Sequence, residues 1–205
     1  MSKVIDCEQY SELWWLFRNG KPSASNAKKL VTSTGLPSKQ LKDYAIELAN
    51  ALFAGHEVDQ WEGNSATQRG TELESQARMA YEFLTESDVV EVGSYTDDDE
   101  QYIASPDGVI GDRLLEIKNL SGKNHTKALL YHAKHKKAPP DYIPQCQMAM
   151  HVSGLDKLDL VFHHPELPLL VIPMTPDEKV INCLACQLTE CLKERDNTLK
   201  ILESL

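Results

Sequence analysis

Ser105-Pro-Asp107-Gly108-Val-Ile-Gly-Asp-Arg-Leu-Leu115-Glu116-Ile117-Lys118 is the stretch on which the reading of this chain turns. Its second half is apolar enough to be a strand, and alternate side chains of a strand share a face. Glu116 and Lys118 therefore project to one side, and Leu115 and Ile117 to the other, into a core. Pro106-Asp107-Gly108 favours a tight reversal, and a hairpin of this length returns Asp107 beside Glu116. Two carboxylates and an ammonium then converge. Two such carboxylates stay ionised together only beside a cation. A hard divalent metal with oxygen ligands serves, Mg²⁺ being usual at phosphate sites. It polarises a scissile phosphate and lowers the pKa of a bound water, while Lys118 orients that water and steadies the developing charge. The competing reading is a surface hairpin with a salt bridge. Against it stand the cost of burying charges in an apolar strand and a third carboxylate, Glu74, on an upstream helix.

Outward from this stretch the chain alternates in type. Residues 8–18 read as a helix with an aromatic face. A second helix opens at Ser23–Ser25 and runs to Val31, where Gly35-Leu-Pro37 follows as a break. Residues 38–54 are helical, 55–68 a polar loop, and 69–86 a long helix with Leu73, Ala77, Tyr81 and Leu84 in phase. Strand patterns fall at 89–95, 101–105, 113–120, 157–163 and 169–174, with Asp97–Glu100 as a hairpin tip. Residues 141–152 and 176–205 are helical. The expectation is an α/β fold, a mixed central β-sheet flanked by helices, with residues 1–205 as one nuclease domain.

The 205 residues carry 31 acidic and 21 basic side chains, a net charge of −10. Uniformly spread, that charge would repel nucleic acid. It is not uniform: residues 1–56 carry +2, 57–116 carry −13, 117–140 carry +6 and 141–205 carry −5. The basic run holds Lys118, Lys123, Lys127, Lys134, Lys136 and Lys137. It reads either as a solvated lysine-rich helix or as a phosphate-tracking patch beside the carboxylates. No apolar run is long enough for a membrane span, and MSKVIDCEQYSELWW lacks a signal core. Five unevenly spread cysteines do not suggest a disulfide framework, so the expected location is the cytoplasm.

The motifs together resemble the phage lambda-type alkaline exonucleases (YqaJ-like), in the nuclease superfamily named for its P-D…(D/E)-x-K motif. The resemblance runs through Trp15-Leu-Phe-Arg18-Asn-Gly20-Lys-Pro-Ser23-Ala-Ser25, Gly70-Thr-Glu-Leu-Glu74-Ser-Gln-Ala77-Arg78, Ser105-Pro-Asp107-Gly108, Glu116-Ile-Lys118 and Tyr142-Ile-Pro-Gln145-Cys-Gln147. It implies the restriction-endonuclease-like core. It also implies a Mg²⁺-dependent 5′→3′ exonuclease on double-stranded DNA, with Mn²⁺ as a substitute, working in a bacterial host as a ring-shaped homotrimer beside a single-strand annealing protein. By matching position, Asp107, Glu116 and the Ile117 carbonyl would ligate the metal, and Glu74 a metal water or a second metal. Lys118 would position the water, and Gln145 would touch the scissile region. Arg18, Ser23 and Ser25, with Ser105, would hold the 5′-phosphate, in accord with hydroxyls and a cation at a helix start.

Plainer readings stand beside these. Glu74 and Arg78 are spaced for a helical ion pair. Arg18 could cap the first helix, Ser23 and Ser25 could be caps alone, and Gln145 and Gln147 could be helix surface. The family's arginine six residues past the motif lysine is Asn124 here, beside Lys123, which would inherit the DNA contact. Its strand-separating wedge is replaced by Thr67, with Trp61 as a substitute. Cys183, Cys186 and Cys191, with Cys7, faintly resemble an iron–sulfur clamp, although helical packing explains them better. Rival functions are a structure-selective endonuclease or resolvase, and a non-catalytic ring that binds DNA ends.

Overall fold

The computed structural model describes residues 2–58 and 65–205, with the side chains of 65–72 outside that description. In chain order the elements are β1 (Lys3–Ile5), α1 (Glu12–Arg18), a 3-10 stretch (Ala24–Lys29), α2 (Leu41–Ala54), α3 (Ser65–Thr85), β2 (Ser94–Thr96), β3 (Ile103–Ala104), β4 (Gly108–Ile110), β5 (Arg113–Asn119), α4 (Gly122–His135), a 3-10 turn (Pro140–Tyr142), α5 (Ile143–Ser153), β6 (Lys157–His163), β7 (Leu170–Met174) and α6 (Glu178–Glu203).

The expected mixed sheet is the four-stranded β4-β5-β6-β7, in which β5 and β6 run parallel and the outer pairs antiparallel. A separate antiparallel sheet is formed by β1-β2-β3, and Val90, ahead of β2, makes an isolated bridge to Val109 of β4. α3 covers one face of the larger sheet, where Ala77 and Tyr81 meet Leu115, Ile117 and Val161. On the other face Leu114, Leu158, Leu160 and Phe162 join the main core with Tyr44 and Leu48 of α2, Met148 and Met150 of α5 and Leu184 and Leu188 of α6. Strands buried on both faces read as near-continuous apolar runs, which is why β5 and β6 stand out in the sequence.

Five local expectations are corrected. The first helix starts at Glu12, because the Ser11 hydroxyl accepts the Trp14 N–H at 3.3 Å and caps it; Gln9 and Tyr10 belong to the preceding turn. The segment from Ser23 is a 3-10 stretch, and the long helix begins at Ser65. The chain reverses not at Pro106-Asp107-Gly108 but at Gly111-Asp112, a two-residue loop between Ile110 and Arg113 with Gly111 at φ 58°. The strand expected over 89–95 shrinks to Ser94–Thr96 because the N-terminal segment crosses Gly93. A Cβ there would lie 2.4 Å from the carbonyl oxygens of both Ile5 and Cys7.

The iron–sulfur reading also falls. Such clusters need four thiolates. Cys191 is sealed in the core while Cys186 faces solvent, and among the described residues no three His, Cys, Asp or Glu side chains are grouped to hold a metal. No helix among the described residues is long and apolar enough to cross a membrane.

The crossing at Gly93 makes a stability prediction. Backbone atoms cannot swing aside as a side chain can, so Gly93→Ala should cost about 1–3 kcal/mol. Gly122→Ala, whose added Cβ meets its nearest atom at 3.6 Å, should be near neutral. Thermal melts of the two variants check this; equal melting temperatures would contradict it.

Candidate active site

The hairpin register brings the motif together. Gly108 pairs with Leu115, which sets Asp107 opposite Glu116. The Asp107 N–H donates to the Leu115 carbonyl at 2.9 Å, and the Ile117 N–H donates to Asp107 Oδ2 at 2.5 Å. In a strand the C=O of a residue points to the same side as its N–H, so the Ile117 carbonyl also lies on the Asp107 side of β5. Glu116 is buried, its side chain 5% exposed. Its Oε1 accepts both Lys118 Nζ, at 2.6 Å, and Gln145 Nε2, at 2.5 Å. Gln145 thus reaches the site from the first turn of α5. Gln147 does not: it is buried behind, donating to the Thr175 carbonyl and accepting the Asp177 N–H.

The electrostatics follow from this crowding. Burial raises the Asp107 carboxyl well above the usual aspartate value, and the Glu116 charge raises it further. Lys118 and the Ile117 N–H only partly oppose that. Burial works against the Lys118 ammonium, but Glu116 and Asp107 outweigh it, and its pKa lies above the ordinary lysine value. Burial also raises Glu74, and Arg78 opposes the shift. Glu74 pairs with Arg78 at 3.2 Å, as the helical spacing allows, and Arg78 pairs in turn with Glu91 at 2.7 Å. It still feels Glu116 and Lys118, so it stands at the rim of the cluster.

A second cluster adjoins the first. Arg18 Nη1 donates to Ser105 Oγ at 3.0 Å and Nη2 to Ser25 Oγ at 3.4 Å. Ser25 and Ser23 are joined at 3.1 Å, and Ser105 and Ser94 at 2.7 Å. The Tyr44 hydroxyl accepts the Ser23 N–H at 3.0 Å. Burial, partly countered by that hydrogen bond, pushes Tyr44 up to about 12. Arg18 therefore does more than end its helix: it ties α1, the Ser23 segment and the end of β3 together. Its guanidinium also sits 4.2 Å over the Trp14 ring. A cavity of about 770 Å³ opens beside this cluster, lined by Arg18, Lys21, Ser23, Asn26, Lys29 and Tyr44 among others.

Lys123 is exposed in the first turn of α4, five residues beyond Lys118, and Lys127, Lys134, Lys136 and Lys137 are exposed with it. Lys123, Lys127 and Lys134 thus lie on a solvated face of α4. Trp61 lies outside the described residues, and nothing describes the Thr67 side chain. Ser94 and Gln9 were invisible as site residues in the sequence, because neither sits in a motif. The Ser11 cap was the available signal that Gln9 and Tyr10 precede the helix.

The donor set suits Mg²⁺. It is hard oxygen throughout, and a dication would offset the burial and the Glu116 charge that work against the Asp107 carboxylate. Mg²⁺ takes one or two carboxylates and keeps several waters, so Asp107, Glu116 and the Ile117 carbonyl would be enough to hold one. Because the folded-state pKa of Asp107 lies above its unfolded value, its contribution to stability is full below the unfolded value. It is lost as pH rises through the folded one. In metal-free protein at neutral pH, Asp107→Asn should therefore raise the melting temperature by a few degrees, the shift that about 1 kcal/mol produces in a chain of this size. Adding Mg²⁺ should raise the melting temperature of the wild type and leave that of Asp107→Asn unmoved. A destabilised variant, or equal Mg²⁺ responses, would refute this.

Comparisons with known proteins agree with the geometry. Residues 13–156 match the model of the YqaJ-like viral recombinase domain. The crystal structure of an alkaline exonuclease from Laribacter hongkongensis superposes with a TM-score of 0.81 at 30% identity, covering 95% of this chain and 97% of that one. The same enzyme in complex with dAMP matches equally well. A phage-related exonuclease from Haemophilus somnus shares the fold, with a TM-score of 0.70 at 16% identity over 89% of this chain and 96% of that one. No curated protein sequence matches at a significant level. At 30% identity the Laribacter enzyme is a relative and not the same protein. By the family match over most of its length and by that likeness, the chain belongs to the YqaJ-like viral recombinase family, with the lambda-type alkaline exonucleases.

Proposed function

We propose that the chain is a Mg²⁺-dependent exonuclease that removes mononucleotides 5′→3′ from one strand of linear duplex DNA and leaves a 3′ overhang. One observation carries this reading: Ser105, which holds Arg18, and Asp107, which faces Glu116, are two residues apart on one backbone segment. Two residues span at most about 7 Å. An anion site and a hydrolytic site so spaced suit the two phosphates that flank a single nucleotide. Arg18, Ser25 and Ser105 would hold the 5′-phosphate, with Ser23 supporting Ser25. The phosphodiester on the other side of that nucleotide would then lie at Asp107 and Glu116.

The Lys118 ammonium, kept charged by its carboxylate neighbours, orients the attacking water and steadies the charge that builds on the phosphate oxygens. Gln145 fixes Glu116. Mg²⁺ bound by Asp107, Glu116 and the Ile117 carbonyl would supply Lewis-acid polarisation of the phosphate and a more acidic water; Mn²⁺ would substitute. Glu74, held by Arg78, would receive an outer water. Lys123 and the exposed lysines of α4 would track the duplex backbone by charge alone. The dAMP complex of the Laribacter relative accords with a mononucleotide product. We further infer a homotrimeric ring with a single-strand annealing protein as partner, acting in the bacterial cytoplasm in phage-type recombination.

Digestion of linear duplex DNA with Mg²⁺ tests the reading. Asp107→Ala and Lys118→Ala should each slow it by at least about 100-fold, and closed circular duplex should stay intact. Ends bearing a 5′-phosphate should be degraded faster than 5′-hydroxyl ends, and Arg18→Ala should erase that preference. Cleavage of circles would point to an endonuclease, and an inert wild type to a non-catalytic ring. A solution mass of three 23.0 kDa chains is expected from light scattering.

A further inference from the structure

Tyr10 occupies a place that the packing of the core does not explain. Its backbone is left-handed, at φ 68°, a conformation that is an outlier for a bulky side chain. Such strain persists where surrounding structure over-determines it, and it gathers at ligand sites. Here the surroundings are plain. The neighbouring Gln9 side chain donates to the carbonyls of Val92, at 3.0 Å, and Pro106, at 2.8 Å. It clamps the turn to the residue before Asp107. On the other side Ser11 caps α1.

The clamp does not bury the ring. Trp14 is 5% exposed and does the packing, whereas Tyr10 remains 52% exposed. The Tyr10 ring centroid lies 5.1 Å from that of Trp14 and 6.4 Å from that of Trp15. Arg18 lies on Trp14. Arg18, Trp14 and Tyr10 thus form a row that starts at the anion cluster, and the Gln9 clamp ties its far end to Pro106, the residue before Asp107. The Tyr10 hydroxyl registers both ends: burial raises it most, Glu74 and Asp107 raise it further, and Arg18 and Lys118 pull it back.

We propose that the Tyr10 ring stacks on the base of the 5′-terminal nucleotide, while the phosphates on either side of that nucleotide sit at Arg18 and at Asp107. This rests on the exonuclease reading above and adds a contact to the one part of the nucleotide that the charged clusters leave ungripped. A flat, half-open aromatic suits a base, because every base has a π-face and stacking is tolerant of sequence. An enzyme that must accept each of the four bases in turn needs that tolerance. The strained turn holds the ring in place before substrate arrives, which limits the freedom lost on binding.

The test uses duplexes with a 5′-phosphate and either an ordinary or an abasic 5′-terminal nucleotide, digested by wild type, Tyr10→Ala and Tyr10→Phe. Wild type should prefer the ordinary end by about tenfold in kcat/KM, mainly through KM, within the range of one base–aromatic stack. Tyr10→Ala should lose about that factor on the ordinary end and nothing further on the abasic end; Tyr10→Phe should restore most of it. Equal wild-type rates on the two ends would overturn the proposal, and so would an equal loss by Tyr10→Ala on both, the mark of a merely structural role. Wild-type tryptophan fluorescence supplies a readout free of turnover and of variants: dAMP should bind about tenfold tighter than deoxyribose 5-phosphate, and equal binding overturns the stack. Were wild type inert on DNA, the exonuclease reading would fall, and this binding pair alone would decide Tyr10.

Discussion

The repulsion between Asp107 and Glu116 is the constraint around which this molecule is arranged. Two carboxylates are placed side by side on a buried hairpin, where burial and then the Glu116 charge make the Asp107 carboxyl harder to ionise. A fold selected for stability alone would separate them. Here the surroundings instead hold them in place. The Ile117 N–H reaches Asp107 from one side, Lys118 and Gln145 reach Glu116 from the other, and α3 and α5 close over both faces of β5. The local instability is carried by the packing of the whole sheet.

The same logic resolves the overall charge. A chain of net charge −10 is a poor general ligand for DNA. Yet the acidic excess falls in residues 57–116, where the three site carboxylates lie, and the compensating lysines ride on the exposed face of α4 directly after β5. The charge is therefore divided along the chain, acid up to the hairpin and base on the segment that follows it. Arg18 completes the pattern from the other side. The hydroxyls of Ser105 and Ser25 accept hydrogen bonds from its guanidinium.

Much of this was legible in the sequence, for definable reasons. β5 and β6 are buried on both faces, and their extents were readable almost to the residue. The motif residues Asp107, Glu116, Lys118 and Gln145 do converge, and Arg18, Ser25 and Ser105 do meet. What the sequence hid was non-local or short. β1 is three residues long and mostly exposed, so it has no periodicity to betray it. The break at Gly93 is made by a segment almost ninety residues away. Pro106-Asp107-Gly108 looks like a reversal but is a straight entry into β4, because Gly111 supplies the turn. Tyr10 was absorbed into a helix by its aromatic neighbours, although the Ser11 cap excludes it. Glu74 fitted a helical ion pair and a catalytic rim equally well, and it serves the first while lying within electrostatic reach of the second.

The two-residue turn at Gly111-Asp112 fixes more than the course of the chain. Because side chains alternate along a strand, one residue gained or lost between Asp107 and Glu116 would send one carboxylate through to the opposite face of the sheet. Length within this hairpin is thus constrained more tightly than composition, which only the turn at Gly111 restricts. Over evolutionary time the loop can exchange Gly-Asp for any pair that turns as tightly. It can lengthen only in steps that preserve parity, or by a bulge that absorbs the odd residue. The interval between the two acids is a geometric quantity written in the primary structure, and it can be read as one wherever this hairpin occurs.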